Sequence, residues 1–275
     1  MKGYAIYEKE PLMVKNSCVD YTVYVQKTNL IPHWHEHIEL LFFHQDGCLV
    51  TCNGKTFPVT KGDLVVVNST EIHSHVLQDH VDSVEYICML IPPVFFNGID
   101  YASISIQNHI KNDAYVAEFM EYIGLEYQQK TEDSHLMVNS YTYALYVYLM
   151  RNYPVTRISE EELNIRIKNL KRLDTVFTYI AKNYNKKIST SALAKLCYLN
   201  ESYFCRLFKE ATGKTVMQYV NEYRIERASL ILENTSDSIA DIASAVGFED
   251  ANYFTRVFKS LKKQTPVEYR NKAKH

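Results

Sequence analysis

Apolar and polar positions change rhythm twice along this chain. Over roughly the first hundred residues the apolar positions fall in short β-branched or aromatic runs, Tyr21–Val25, Ile38–Phe43, Leu49–Thr51, Asp63–Val67 and Val84–Leu90, with turn-forming residues between them. Such runs predict strands. Asn53-Gly54, set between Val50–Cys52 and Lys55–Phe57, predicts a two-residue hairpin, because a type I′ turn needs positive φ at both central residues. Lys61-Gly62-Asp63 predicts another tight turn, and many short strands predict a β-sandwich or small barrel. From residue 101 the period lengthens. Ala114–Gln129 and Leu136–Arg151 read as helices, the second with Val138, Tyr141, Leu145, Tyr148 and Leu149 along one stripe. Packing on the barrel accounts for one such helix, and two in succession also suit a seam between copies of the chain. Pro154, Ser159 and Glu160-Glu161-Glu162 interrupt the pattern and predict a linker over residues 154–167. The expected layout is a β-rich unit with its helices over residues 1–153, the linker, and a helical unit over residues 168–275.

That last unit is written twice. Tyr203-Phe204-x-Arg206-x-Phe208-Lys209 returns as Tyr253-Phe254-x-Arg256-x-Phe258-Lys259, and Thr215 and Tyr219 return as Thr265 and Tyr269. Upstream, Leu193-Ala194 answers Ile242-Ala243, so the intervening turn differs by one residue. Two copies are too few for a solenoid. Leu170, Leu173, Phe177, Ile180 and Tyr184 predict a leading amphipathic helix. Each copy then predicts a short helix, a turn and a longer helix: Ser191–Cys197 and Asn200–Thr212 in the first, Ser238–Val246 and Asp250–Lys259 in the second. Asn200, Ser238 and Asp250 are N-cap residues. Between the copies, Val216–Glu233 predicts one long helix that serves as a spacer.

The longer helices have two faces. Tyr203, Phe204, Leu207 and Phe208 turn inward in one, and Tyr253, Phe254, Val257 and Phe258 in the other. That leaves Ser202, Cys205, Arg206 and Lys209, and Asn252, Thr255, Arg256 and Lys259, on the outside. A helix-turn-helix layout places such a strip in a DNA major groove. There Arg pairs with guanine, Asn with adenine and Thr offers a methyl to thymine, while the lysines suit phosphates, which carry affinity and no sequence choice. Charge agrees. The net charge of −2 divides into 20 Lys and Arg against 11 Asp and Glu from Leu163 onward, and the reverse imbalance before it. The basic half is the one suited to a polyanion.

The first half carries a different chemistry. His33, His35, His37 and Glu39 alternate with Trp34 and Ile38, so on one strand they would share a face; His73 and His75 form a second same-parity pair. These six polar residues are the candidate ligand site. His33, His35, Glu39, Gly47, Gly62 and His73 resemble the cupin barrel pattern, in whose metal-binding members the three His and the Glu hold a divalent ion. The same pattern occurs in metal-free sensor domains, so no metal, cofactor or catalytic residue is assigned from it. Six scattered cysteines without a CxxC pair suggest reduced thiols. The N-terminus, with Lys2, Glu8 and Glu10, lacks the apolar core of a signal peptide. Runs such as Ile87–Pro93 fall short of the ~18 residues a membrane helix needs. These readings favour the cytoplasm.

Ile239-Ala240-Asp241-Ile242-Ala243, Val246-Gly247-Phe248, the Tyr253–Lys259 heptad and Thr265-Pro266-x-x-Tyr269-Arg270 stand in the order of a known signature. The C-terminal unit resembles AraC-type (AraC/XylS) transcriptional regulators, and the cupin-like first half extends a looser resemblance over most of the chain. The resemblance implies an α+β protein of two domains, a cupin-like β-barrel followed by helices and an all-α domain with two helix-turn-helix motifs on a long helix. It implies DNA readers at Ser202, Cys205 and Arg206 and at Asn252, Thr255 and Arg256. Double-stranded promoter DNA, a small effector such as a sugar, RNA polymerase and a second copy of the chain are the implied partners. Where the family often has Gly after the second long helix, this chain has Lys263; Gly213 keeps it in the first copy. A metal-dependent cupin enzyme and a sequence-tolerant architectural DNA binder are the competing readings.

Overall fold

The computed structural model describes residues 19–26, 29–78, 81–129 and 131–273; Cys18 and the N-terminal stretch lie outside them. The alternating runs become strands β1 (Asp20–Gln26), β2 (Leu30–His33), β3 (Ile38–Phe43), β4 (Cys48–Cys52), β5 (Lys55–Val59), β6 (Leu64–Val67), β7 (His73–Leu77) and β8 (Val84–Ile91). Short strands β9 (Ile104–Ile106) and β10 (His109–Ile110) follow, then helices α1 (Ala114–Gln129) and α2 (Ser134–Asn152) and strand β11 (Val155–Arg157). One antiparallel sheet runs β1-β8-β3-β6-β10, another β2-β7-β4-β5, and β11 pairs with β9. The β4–β5 turn has φ of 45° at Asn53 and 75° at Gly54, as a type I′ hairpin requires.

Strand β3 shows why the sheets sit where they do. All six of its residues are buried, so both faces of the strand are covered. Ile38, Leu40 and Phe42 pack with Val116, Met120 and Ile123 of α1 and Val138, Leu145 and Leu149 of α2. Leu41 and Phe43, of the other parity, pack with Val50, Cys52 and Val59 of the second sheet and with Val67, Tyr86 and Cys88. Glu39 shares that second parity, which puts a carboxylate at the edge of an otherwise apolar inter-sheet core.

Residues 33–39 do not form the single strand that their alternation predicts. His33 ends β2, residues 34–37 turn, and Glu39 belongs to β3. The turn is held by Thr70, whose N–H donates to the His35 carbonyl at 3.0 Å. His73 and His75, expected beyond a strand, instead begin β7.

The stretch 154–167 also carries regular structure where a linker was expected. β11 occupies its start, and α3 (Glu160–Asn183) begins within it. The reason is local. The Ser159 hydroxyl accepts from Glu162 N–H while the Glu162 carboxylate accepts from Ser159 N–H, a capping box, and three glutamates in the first turn suit the helix dipole.

The chain divides into two compact units, residues 1–170 and 171–275. The second contains α4 (Thr190–Leu196), α5 (Glu201–Thr212), α6 (Val216–Asn234), α7 (Ile239–Ala245), α8 (Ala251–Lys262) and α9 (Pro266–Ala273). Phe204 and Phe208 of α5 and Phe254 and Phe258 of α8 are wholly buried, each side chain contributing about 1.5–3 kcal/mol of transfer free energy. Before α8 the chain must pass within touching distance of α3's end. A Cβ on Gly247, at φ +92°, would lie 2.8 Å from Asn185 and Tyr184 backbone atoms, so only glycine fits.

Both long helices end alike despite the sequence difference. Gly213 caps α5 at φ 73° and Lys263 caps α8 at φ 58°, both left-handed, and each helix has 12 residues. Lysine therefore accepts a conformation that costs an L-residue roughly 1 kcal/mol. We expect Lys263→Gly to stabilise the C-terminal unit by about 1 kcal/mol in urea denaturation. An unchanged or lower midpoint would contradict the strained cap.

Candidate DNA interface and histidine cluster

The two helical pairs are built by the same local rules. Ser189 caps α4 and Ser238 caps α7, each hydroxyl accepting a backbone N–H. Asn200 Oδ1 accepts from Tyr203 N–H at 2.8 Å, and Asp250 Oδ1 from Tyr253 N–H at 2.6 Å, starting α5 and α8 at equivalent points. Ser202, Arg206 and Lys209 of α5 are exposed and Cys205 is half-buried; Asn252, Arg256 and Lys259 of α8 are exposed and Thr255 is half-buried. The Thr255 hydroxyl donates to Ala251 O at 2.9 Å, leaving its methyl as the group it can offer a base.

One feature of these strips was missed in the sequence. Arg206 lies over the Tyr203 ring at 5.4 Å and Arg256 over the Tyr253 ring at 5.8 Å, so each arginine rests on an aromatic face three residues earlier. Tyr253 was expected inside but is 43% exposed, since its neighbours Phe254 and Phe258 take the centre of the apolar face. Its hydroxyl accepts from Asn221 Nδ2 of α6 at 3.1 Å, which steadies the ring. The repeated Tyr-x-x-Arg spacing was the available signal. The Arg206–Glu210 pair at 3.9 Å is solvent-exposed on both sides and orients little.

In the first unit the structure gathers His33, His35, His73 and Glu39. The register pairs His33 with His73 across β2 and β7, and their ring centroids stand 4.0 Å apart; His35 and His73 stand at 5.0 Å. Glu39 Oε2 lies 2.8 Å from His73 Nε2 and 3.4 Å from His35 Nε2, close approaches without aligned hydrogen-bond geometry. Its other oxygen accepts from the Cys88 thiol at 3.0 Å. Burial alone raises the Glu39 carboxyl, but the facing His73 and His35 hold it well below its usual range. Burial, then the His73 and His35 imidazoles, push His33 down, and burial lowers His75 to about 4. His75 lies behind the cluster, its ring against Tyr86. His37 does not join it; half-buried, it meets only the edge of His35. Trp34 is buried, although it lies in the turn and not on a strand.

A buried Glu71 steadies this corner. It accepts from Asn68 N–H, Asn53 Nδ2 and Asn108 Nδ2, tying the 68–71 turn, where Thr70 adopts φ 64°, to the β4–β5 turn and to the residue that leads into β10. On the opposite face of the larger sheet, a groove of about 530 Å³ opens against α1. Tyr21, Phe42, His44, Glu85, Glu121 and Gln128 are among its lining residues. Gly124 of α1 lies against it, where an added Cβ would meet the Tyr21 hydroxyl at 2.8 Å.

Paired helix-turn-helix motifs in one unit and a β-rich pocketed unit define a DNA-binding regulator with a ligand-binding domain. Comparison with known proteins agrees with both halves. Residues 193–272 match the family described as a helix-turn-helix domain, and residues 21–118 match the AraC-like ligand binding domain. An uncharacterised HTH-type transcriptional regulator of Bacillus subtilis, YdeC, is 25% identical over 98% of this chain and 99% of its own. The HTH-type transcriptional activator RhaR of Mannheimia succiniciproducens is 24% identical over 87% of each. Among solved structures, the C-terminal domain of the response regulator yesN from Fusobacterium nucleatum is 34% identical, covering 37% of this chain and 98% of that one at a TM-score of 0.35. Fatty-acid-bound ToxT from Vibrio cholerae is 14% identical, covering 94% and 97% at a TM-score of 0.45. The chain belongs to the AraC-type transcriptional regulators. Among the described residues no helix is long and apolar enough to cross a membrane.

If Tyr253 steadies Arg256, removing its ring should matter more than removing its hydroxyl. We expect Tyr253→Phe to hold operator affinity within about twofold, and Tyr253→Leu to lose roughly 0.5–1 kcal/mol in a fluorescence-anisotropy titration. Equal affinities for the two variants would remove the ring from the interface.

Proposed function

We propose that this protein regulates transcription by sequence-specific binding of promoter DNA through α5 and α8, under the control of a small molecule held by its first unit. The observation that carries the reading is the matched pair of strips: two 12-residue helices, each with an arginine on a tyrosine face, set on one continuous spacer helix. Ser202, Cys205 and Arg206, and Asn252, Thr255 and Arg256, face base edges; Lys209 and Lys259 face phosphates. An architectural binder would need only the positive charge, and an enzyme would need neither strip.

A sugar-sized effector fits the groove against α1 better than the histidine corner, where rings 4.0 and 5.0 Å apart leave little room. In the groove Glu85, Glu121, His44 and Gln128 offer partners for hydroxyls, and Tyr21 and Phe42 offer aromatic faces. Such control requires the effector to bind one arrangement of the protein better than another. Exposed Leu136, Met137, Tyr143 and Val147 along α2 support a contact with a second copy of the chain. Recruitment of RNA polymerase in the cytoplasm completes the reading.

Substitution separates the two classes of contact. Arg206→Ala and Arg256→Ala should each cost about 1–3 kcal/mol on the selected operator and relax base preference at one position. Lys209→Ala and Lys259→Ala should weaken binding evenly across sequences and lower the salt slope by about 1. Unchanged operator affinity in both arginine variants would sink the assignment.

A further inference from the structure

The two helix-turn-helix motifs differ most at the turn. The residues after Ala194 and Ala243 correspond one to one as far as Leu199 and Phe248, so Lys195 and Tyr198 stand where the second motif has Ser244 and Gly247. Both turns use the left-handed backbone, with φ of 56° at Tyr198 and 92° at Gly247. Glycine takes that conformation freely, whereas a bulky L-residue there is an outlier. At Gly247 the end of α3 leaves no space for a side chain. At Tyr198 the side chain stands in solvent, 94% exposed. Among the described residues it makes no hydrogen bond, ion pair or ring contact. A tyrosine that packs on nothing adds no stability to offset its backbone cost. Such outliers persist where the residue serves a contact made outside the fold.

We propose, resting on the reading of α5 as a recognition helix, that Tyr198 and Lys195 grip the sugar-phosphate backbone beside the half-site under α5. The first motif then holds DNA more tightly than the second. In a helix-turn-helix the first helix crosses the DNA backbone and the start of the second meets base edges, so the turn between them lies along the groove wall. A tyrosine hydroxyl there can donate to a phosphate oxygen, and a lysine supplies a cation. Lys195 is exposed in the last turn of α4, and its carbonyl accepts from Tyr198 N–H at 3.1 Å, so the two residues are tied through the main chain. The nearby carboxylate of Glu201 is turned back on α4, where it accepts from the Thr190 hydroxyl. In the second motif Gly247 and Ser244 offer no phenol and no cation. The additional residue of that turn, Glu249, sets an exposed carboxylate beside Asp250, and phosphates repel both. Phosphate contacts carry no base choice, so the two motifs differ here in grip and not in the sequence they read.

Full-length protein and the operator it selects from random DNA provide the test, read by fluorescence anisotropy over a range of salt. The position at which Arg206→Ala relaxes base preference marks the half-site under α5. Tyr198→Gly should weaken operator binding roughly fivefold at an unchanged salt slope, because a phenol displaces no counterion, and Lys195→Ala should lower the slope by about 1. Tyr198→Gly should also raise the urea midpoint, which separates a lost contact from lost folding. Tyr198→Phe keeps the ring and the backbone and should bind roughly threefold more weakly. One uncharged methylphosphonate beside the α5 half-site should weaken the unaltered protein and cost Tyr198→Gly nothing further. If Tyr198→Gly and Tyr198→Phe both bind within about twofold of the unaltered protein while Arg206→Ala binds weakly, the proposal is overturned and α5 remains a reader. Full affinity in Arg206→Ala as well would remove α5 from the interface, and the proposal with it.

Discussion

The C-terminal unit depends on one helix whose inner face is buried from Val216 to Leu232. α6 has 19 residues and so spans roughly 28 Å. Its first half carries Tyr219, packed on Phe177 of α3 and Phe208 of α5; its second half carries Ile225, Ala228 and Leu232, packed with Phe254 and Phe258 of α8. At the middle Arg224 is buried and donates to the Tyr184 and Lys186 carbonyls, closing the end of α3. A Thr215–Gln218 capping box starts the helix. The separation of the two outward strips is therefore set by helical rise, which is uniform, and not by a loop.

The same physical logic made much of this unit legible in advance. A repeat that preserves Phe-x-x-x-Phe and an N-cap at equivalent positions can only repeat one helix with one buried face, and α5 and α8 are that helix. What escaped notice lies at the flank of the face. Tyr253 counts as apolar in any pattern, yet a ring at the edge of a helical stripe has room to lie flat under an arginine. Lysine in place of glycine at 263 does not shift the helix end; Phe258 packs on Tyr269 there, and the left-handed cap costs roughly 1 kcal/mol in the backbone.

In the first unit the alternation was legible and the turns were not. β3 could be placed because six consecutive buried residues need a strand with two covered faces. The run from His33 to Glu39 keeps a strand's parity, but Thr70, through its hydrogen bond to His35, bends it, and that contact comes from a residue 35 positions away. The bend brings His35 alongside His73 and leaves His37 outside, so four of the six polar candidates converge. Ser159 and its glutamates looked like a charged linker; the spacing Ser-x-x-Glu was the signal that a helix begins there. β9, β10 and β11 are two or three residues long, too short for any periodicity to reveal.

The central claim is that one chain reads two successive major grooves through helices held at a constant separation. Selecting an operator from random DNA with the full-length protein, then inserting five base pairs between its two half-sites, tests this directly. Half a helical turn would rotate one half-site to the far side of the duplex, so affinity should fall at least about tenfold, to that of the better half-site alone. Affinity unchanged by the insertion would mean that the two strips are not coupled through α6, and would contradict the account.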